Sequence, residues 1–412
     1  MTGNIRSVII IIALLAGVLT LAGIQCTNSA QVKADPRGAA YASEASCVKC
    51  HNAISRNYAH TSHYTTSAPL TEHALPKNIV AKVNTFLFND TLKVNVTQQP
   101  DGMYQAAYNG NQKLRAERFD VAFGSGTRAQ TYAYWQGNRL LQLPLSYFKE
   151  IHNWANSPGF PSQAANFNRV IISRCLECHA SFAENQFVQT GSLSVTQEYN
   201  KNSMIYGINC QRCHGPAAQH VEYQEQHPDD KHAKYMVRYQ SLTRAQKVDM
   251  CAVCHSGSDK ELQKTIFAFK PGDRLNDYYV PFGQTNDIPD VHGNQANLLS
   301  SSKCYTNSAV MTCTTCHSSH TKETNKLTAY TQKCITCHKE ENHTFCKMAP
   351  KLGAAINNKC IDCHMPAMPS KLITYQVTAA KQRSSYYLHT HQIAVYPDKT
   401  KEITAFIKRT KS

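Results

Sequence analysis

Two stretches of the chain alternate apolar and polar residues with the period of a strand. In TLKVNVTQQPDGMYQAAY (Thr91 to Tyr108), Leu92, Val94 and Val96 fall on one face, Pro100-Asp101-Gly102 breaks the run and Tyr104 resumes it, which predicts a β-hairpin. TRAQTYAYWQGNRLLQLPLSYF (Thr127 to Phe148) predicts another, turned at Gly137-Asn138, with Tyr132, Tyr134 and Trp135 as packing residues of the sheet. From Asn166 onward the pattern turns helical or irregular. HPDDKHAKYMVRYQSLTRAQKVDMCAVCH predicts one amphipathic helix ending near Tyr239 and another running into Cys251. KEITAFIKRTKS, from Lys401, ends basic and is expected to be a solvated tail.

The N-terminal segment has a different pattern. After Arg6 an unbroken apolar run extends from Val8 to about Ile24 and closes at Cys26. Its length and flank predict a secretion signal or a short membrane anchor. Cys26 stands where a lipoprotein would carry its acylated cysteine, although Gly23-Ile24-Gln25 departs from the small residues usual there. Residues 1–26 are therefore expected to be a signal or anchor, 27–42 a tether, 43–395 the main domain with its β-rich insert at 91–148, and 396–412 a tail. An exported protein, in the periplasm or on the outer cell surface and held at the membrane through this end, is the expected location.

Cysteine spacing changes the picture most. Fourteen of the 17 cysteines fall into seven CxxCH units: Cys47/Cys50/His51, Cys175/Cys178/His179, Cys210/Cys213/His214, Cys251/Cys254/His255, Cys313/Cys316/His317, Cys334/Cys337/His338 and Cys360/Cys363/His364. Roughly 0.03 such units are expected by chance at this composition. A structural zinc site does not demand a histidine after each pair, and a redox dithiol uses one CxxC on a βαβ background. CxxCH is the attachment signature of c-type haem, two thioethers to the macrocycle and the adjacent imidazole on its iron, so seven covalent haems are the expected cofactors.

With few long apolar runs after the N-terminus, the haems are expected to supply much of the interior, and cofactor attachment to be part of folding. The formal charge of +15 falls to roughly +8 with ferric and +1 with ferrous haems once propionates are counted. No basic tract interleaved with aromatics points to nucleic acid. Cys304 and Cys346 lie outside the units, and a disulfide between them is expected in an exported protein.

Twelve further histidines remain: His60, His63, His73, His152, His220, His227, His232, His292, His320, His343, His389 and His391. A second imidazole saturates an iron for electron transfer, whereas an open site admits substrate. His63, His220, His320 and His343 follow closely on CxxCH units, as does His60. His73, His227 and His389 read better as surface or propionate-bonding histidines, and His232 is undecided.

YASEASCVKCHNAISRNYAHTSHYTTSA, VAFGSGTRAQTYAYWQGNRLLQLPLSYF, CQRCHGPAAQH, His292-Gly293, MTCTTCHSSH and CIDCHMP together resemble the cytochrome c-554-type multihaem cytochromes, in motif and in order, over roughly residues 41 to 395. The resemblance implies a mainly α and irregular fold organised around covalent haems, with a small antiparallel insert between haems 1 and 2. It marks His63, His220, His292, His320, His343 and His391 as distal iron ligands, with His152 a weaker seventh. It implies a cytochrome relaying electrons between a quinol-linked donor and a terminal reductase or extracellular acceptor. The alternative is a multihaem oxidoreductase acting on hydroxylamine, nitrite or tetrathionate at one open iron.

Overall fold

The structure is a computed structural model. It describes residues 34–70, 84–281 and 289–411, apart from 323, 325, 340, 342–344, 357–358 and 379–381. The apolar N-terminal run, Cys26, His73 and His343 lie outside the described residues.

Seventeen strands in five antiparallel sheets organise the described chain. Strands β1 (Ser67–Pro69), β2 (Thr85–Leu87), β3 (Leu92–Gln99), β4 (Gly102–Asn109), β5 (Gln112–Arg118) and β6 (Val121–Phe123) come first. They are followed by β7 (Ala129–Gln136), β8 (Arg139–Gln142), β9 (Leu145–Phe148), β10 (Asn153–Asn156) and β11 (Arg169–Val170). Further along run β12 (Ala180–Phe182), β13 (Asn185–Gly191), β14 (Ser194–Tyr199), β15 (Ile205–Tyr206), β16 (Ala367–Tyr375) and β17 (Ser384–His389).

β2 to β5 form a four-stranded meander, while β1 and β6 to β11 form a seven-stranded sheet. Both alternation-predicted hairpins are present: β3 pairs with β4 from Leu92↔Asn109 to Gln99↔Gly102, and β7 pairs with β8 around the Gly137-Asn138 turn. Gly102 has φ 142°, a conformation that glycine takes without steric cost at the tight turn.

The inner faces of these two sheets close on each other. Phe86, Val94, Val96 and Ala107 from the meander meet Tyr132, Tyr134, Leu141, Leu143, Leu145 and Trp154 from the larger sheet in one buried cluster. Trp154 sits at its centre, with Phe119, Tyr132 and Tyr147 rings within about 6.0 Å and its indole N–H donating to Asn84. Gln105, wholly buried, bonds both the N–H and the carbonyl of Leu145 across the sheets. A buried backbone there has no water to bond, so one amide side chain meets its full requirement.

This architecture corrects the expected fold. The β region extends well beyond 91–148, spans Ser67 to Val170 and carries its own core, and strands recur after Asn166 where helix and loop were expected. The fold is mixed α and β. Side chains of the polypeptide also supply separate apolar clusters around Leu176 and around Tyr278, so the interior is not left to cofactors.

Helices are short and carry most of the CxxCH units. Arg244–His255 begins at a Thr243/Gln246 capping box and ends on the Cys251 unit. Between His214 and this helix only Ala218–Gln226 and a single turn at Tyr239–Ser241 are helical, in place of one helix reaching Tyr239. The expected C-terminal tail is a helix, Pro397–Lys411, whose Ile403 and Ile407 pack against Leu352 and Ile356.

Candidate functional site

In a helical turn, positions i, i+3 and i+4 share a face, so the two cysteines and the histidine of CxxCH project together. Cys47 to Cys50 close the helix Glu44–Cys50, capped by Ser43, and the His51 N–H bonds the Cys47 carbonyl at 2.8 Å. Cys175–His179, Cys210–His214, Cys251–His255 and Cys360–His364 are likewise helical. His317 and His338 make the same i to i+4 bond to Cys313 and Cys334. Asn209 caps the Cys210 helix, and Gly215, at φ 78°, ends it before Pro216.

Tertiary packing brings thiols of different units together. Hydrogen bonds join Cys47 with Cys210, Cys178 with Cys254, Cys251 with Cys313, and Cys334 with Cys360. As free thiols, one member of each pair is lowered by its neighbour's hydrogen bond and the other raised. Cys47 falls to about 7 and Cys360 to about 6 on this account. Cys50, Cys175, Cys213, Cys316, Cys337 and Cys363 complete the units, none of them in a disulfide. Cys304 and Cys346 are free as well. Cys304 lies among Cys316, Cys334 and Cys337, and Cys346 lies by Cys363.

The imidazoles gather in twos, each pair taking one histidine from a CxxCH unit and one from elsewhere. His214 faces His320 with ring centroids 5.9 Å apart and planes 10° apart. His317 faces His391 at 6.1 Å and 24°, and His255 meets His63 edge-on at 6.1 Å and 78°. Burial, and after it the nearby His292 imidazole, hold the pKa of His179 below its usual value. Burial, followed by the His317 imidazole, lowers His391 to about 4, so that it is a neutral nitrogen base at neutral pH.

Ring orientation is set by neighbouring oxygens. The Nδ1 atoms of His220 and His364 lie 3.0 and 2.9 Å from the carbonyls of Lys234 and Ala394. A carbonyl only accepts, so Nδ1 carries the proton in both and Nε2 keeps its lone pair. Thr66 holds His179 Nδ1 at 2.9 Å, Gln295 holds His255 Nδ1 at 3.1 Å and Tyr330 holds His317 Nδ1 at 3.1 Å. This is how a protein orients an imidazole for ligation through its other nitrogen.

His152 is placed differently. It is exposed at the turn before β10 with φ 48°, its N–H on the Lys149 carbonyl. His389, read from sequence as a surface or propionate-bonding residue, is part-buried and donates Nδ1 to the Met365 carbonyl at 2.6 Å. Its signal was the spacing His389-Thr390-His391 at the end of a strand, which brings one imidazole to the Met365 carbonyl beside the Cys360 unit and the other to His317. Thr66, Gln295 and Tyr330 had no signal in the sequence, since only the folded chain brings them to these rings.

A family model described as cytochrome c554 and c-prime matches residues 146–215, a stretch that holds β9, β10, two CxxCH units and the β13–β14 hairpin. No curated protein and no solved structure matches the chain.

These findings correct the reading built on the resemblance. The likeness expected over residues 41 to 395 is found over 146–215, and much of the rest of the described chain forms antiparallel sheets where a multihaem cytochrome fold of helices and loops was expected. Among the described residues no group of three or more His, Cys, Asp or Glu side chains is gathered to hold a metal ion. On these grounds the seven covalent haems, the electron relay through them and the alternative multihaem oxidoreductase are withdrawn. What the structure presents is pairs of imidazoles with thiols alongside.

Proposed function

We propose that the chain is a binding protein whose facing imidazole pairs each hold one metal-centred ligand between two ring nitrogens. The observation that carries this is the spacing of three pairs at 5.9 to 6.1 Å. Rings in face-to-face contact lie roughly 3.5–4.0 Å apart. A metal bound at about 2.0–2.1 Å by one nitrogen of each ring, with the two nitrogens on opposite sides of it, puts the centroids about 6 Å apart. His214 with His320, His255 with His63, and His317 with His391 are the donors proposed, and His179 with His292 is a fourth pair.

Two donors leave further coordination positions to the ligand itself, which agrees with the grouping of side chains in twos. The thiols of the Cys210 and Cys251 units stand on the same helical face as His214 and His255. The apolar segment from Val8 to Ile24 supports an exported, membrane-held protein as the setting.

Intact mass and metal analysis of the protein isolated from its membrane and soluble fractions test both parts. The expected result is metal bound at one or more equivalents, with H320A and H391A each losing one station while the thiol count stays unchanged. A chain that carries no metal and has the bare polypeptide mass, or variants whose metal content equals wild type, sinks the proposal.

A further inference from the structure

We propose that the β13–β14 hairpin is a membrane-docking prong whose tip settles on an anionic bilayer surface. Its strands pair from Asn185↔Tyr199 to Gly191↔Ser194, and among the described residues they pair with no other strand. The base is fixed: Tyr199 is buried in the cluster with Leu176, and buried Gln197 accepts from the Ser173 N–H and donates to Asn185. Seven residues of strand give the hairpin a length of about 23 Å, of which the end beyond Phe187 and Gln197 stands clear of the base. Phe187 next to the base, Val195 further out and Leu193 at the turn are exposed, Leu193 at 98%.

Exposed strands ordinarily carry charges or proline that discourage pairing with other chains. From Asn185 to Gln197 this hairpin has neither Lys, Arg, Asp, Glu nor Pro. A tip without charge meets no desolvation penalty for ions on entering the headgroup region, where its three apolar side chains leave water. At that shallow depth the free strand edges still find water for their N–H and carbonyl groups.

Charge beside the hairpin selects the lipid. Phe187 lines an open cleft of about 490 Å³ together with Arg174, Lys260 and Lys264, opposed by Glu261 and buried Glu177. Lys260 and Lys264 lie against the rings of Tyr279 and Tyr278. Cations next to an apolar edge match a surface that presents phosphates above hydrocarbon. A second copy of the chain fits less well, because three side chains fall short of the roughly 800 Å² per partner that a stable protein interface buries.

The test uses the full-length chain in vesicles, with Phe187 replaced by the photo-crosslinker p-benzoylphenylalanine. In vesicles of mixed phosphatidylglycerol and phosphatidylcholine, irradiation is expected to give lipid adducts at position 187. L193S/V195S, altering exposed residues that the fold does not use, is expected to lower their yield about tenfold. K260Q/K264Q is expected to remove the preference for phosphatidylglycerol over phosphatidylcholine alone. Absence of lipid adducts, or crosslinks to a second chain in their place, overturns the proposal, as does a yield that L193S/V195S leaves unchanged.

Discussion

Replacing Gly207 with alanine tests whether the crossing beneath the histidine pairs is as tight as its geometry requires. Gly207 lies just after β15. Its N–H donates to the Ser67 hydroxyl at 2.9 Å and its carbonyl accepts from the Ser181 hydroxyl at 2.8 Å. Next to it, the Ile208 N–H bonds the His63 carbonyl. Gly207 has φ 64°, and a Cβ built there runs into the carbonyl oxygen of Tyr64, the residue after His63.

Two costs combine in this variant. A left-handed residue other than glycine costs roughly 1–2 kcal/mol, and forcing backbone apart in a packed site adds roughly 1–3 kcal/mol. Gly110 provides the control, because its φ is 60° but nothing lies within 4 Å of a Cβ there. G110A is expected to lose about 1–2 kcal/mol and G207A about 2–5 kcal/mol. Against a typical total of about 5–15 kcal/mol, that difference is large enough to see in urea or thermal unfolding. Because Tyr64 must move, G207A is also expected to speed hydrogen exchange at the Ile208 amide, which the His63 carbonyl holds. If G207A unfolds no more readily than G110A, the crowded crossing is refuted.

Other predictions follow from the same packing. Q105L is expected to leave the buried Leu145 N–H and carbonyl unpaired and to cost about 2–5 kcal/mol in denaturant unfolding. Ending the chain at Tyr396 removes Ile403 and Ile407 from their contact with Leu352 and Ile356, and amide exchange in Ala349–Leu352 is expected to rise at least tenfold while the β3 and β4 amides keep their protection. Burial alone would raise Asp290, but hydrogen bonds from the Lys371 N–H, the His292 N–H and the Ser370 hydroxyl outweigh it and hold its carboxyl below the usual 3.8. A lowered folded value means that the unfolded chain takes up the proton first. The stabilisation is therefore present above about pH 4 and lost as the pH falls through the folded value, and D290N is expected to flatten that part of the stability profile.

What could be read from the sequence was local. The two hairpins followed from period-two alternation and Gly-containing turns, each decided within about twenty residues. The shared face of each CxxCH unit follows from i, i+3 and i+4 spacing alone. A resemblance between short motifs, by contrast, did not reveal how much of the chain builds sheet, because the motifs sit on short helices and are silent about the strands between them.

By itself, then, the sequence determined where thiols and imidazoles recur, which segments alternate and where the chain turns. Only the tertiary structure decided that β1 pairs with β6, that His63 meets His255 and His214 faces His320, and that Leu193 stands in solvent. Those outcomes depend on contacts between residues far apart along the chain. Their register is set by how two sheets fill the space around Trp154 and how crossings such as Gly207 fit, which no local pattern encodes.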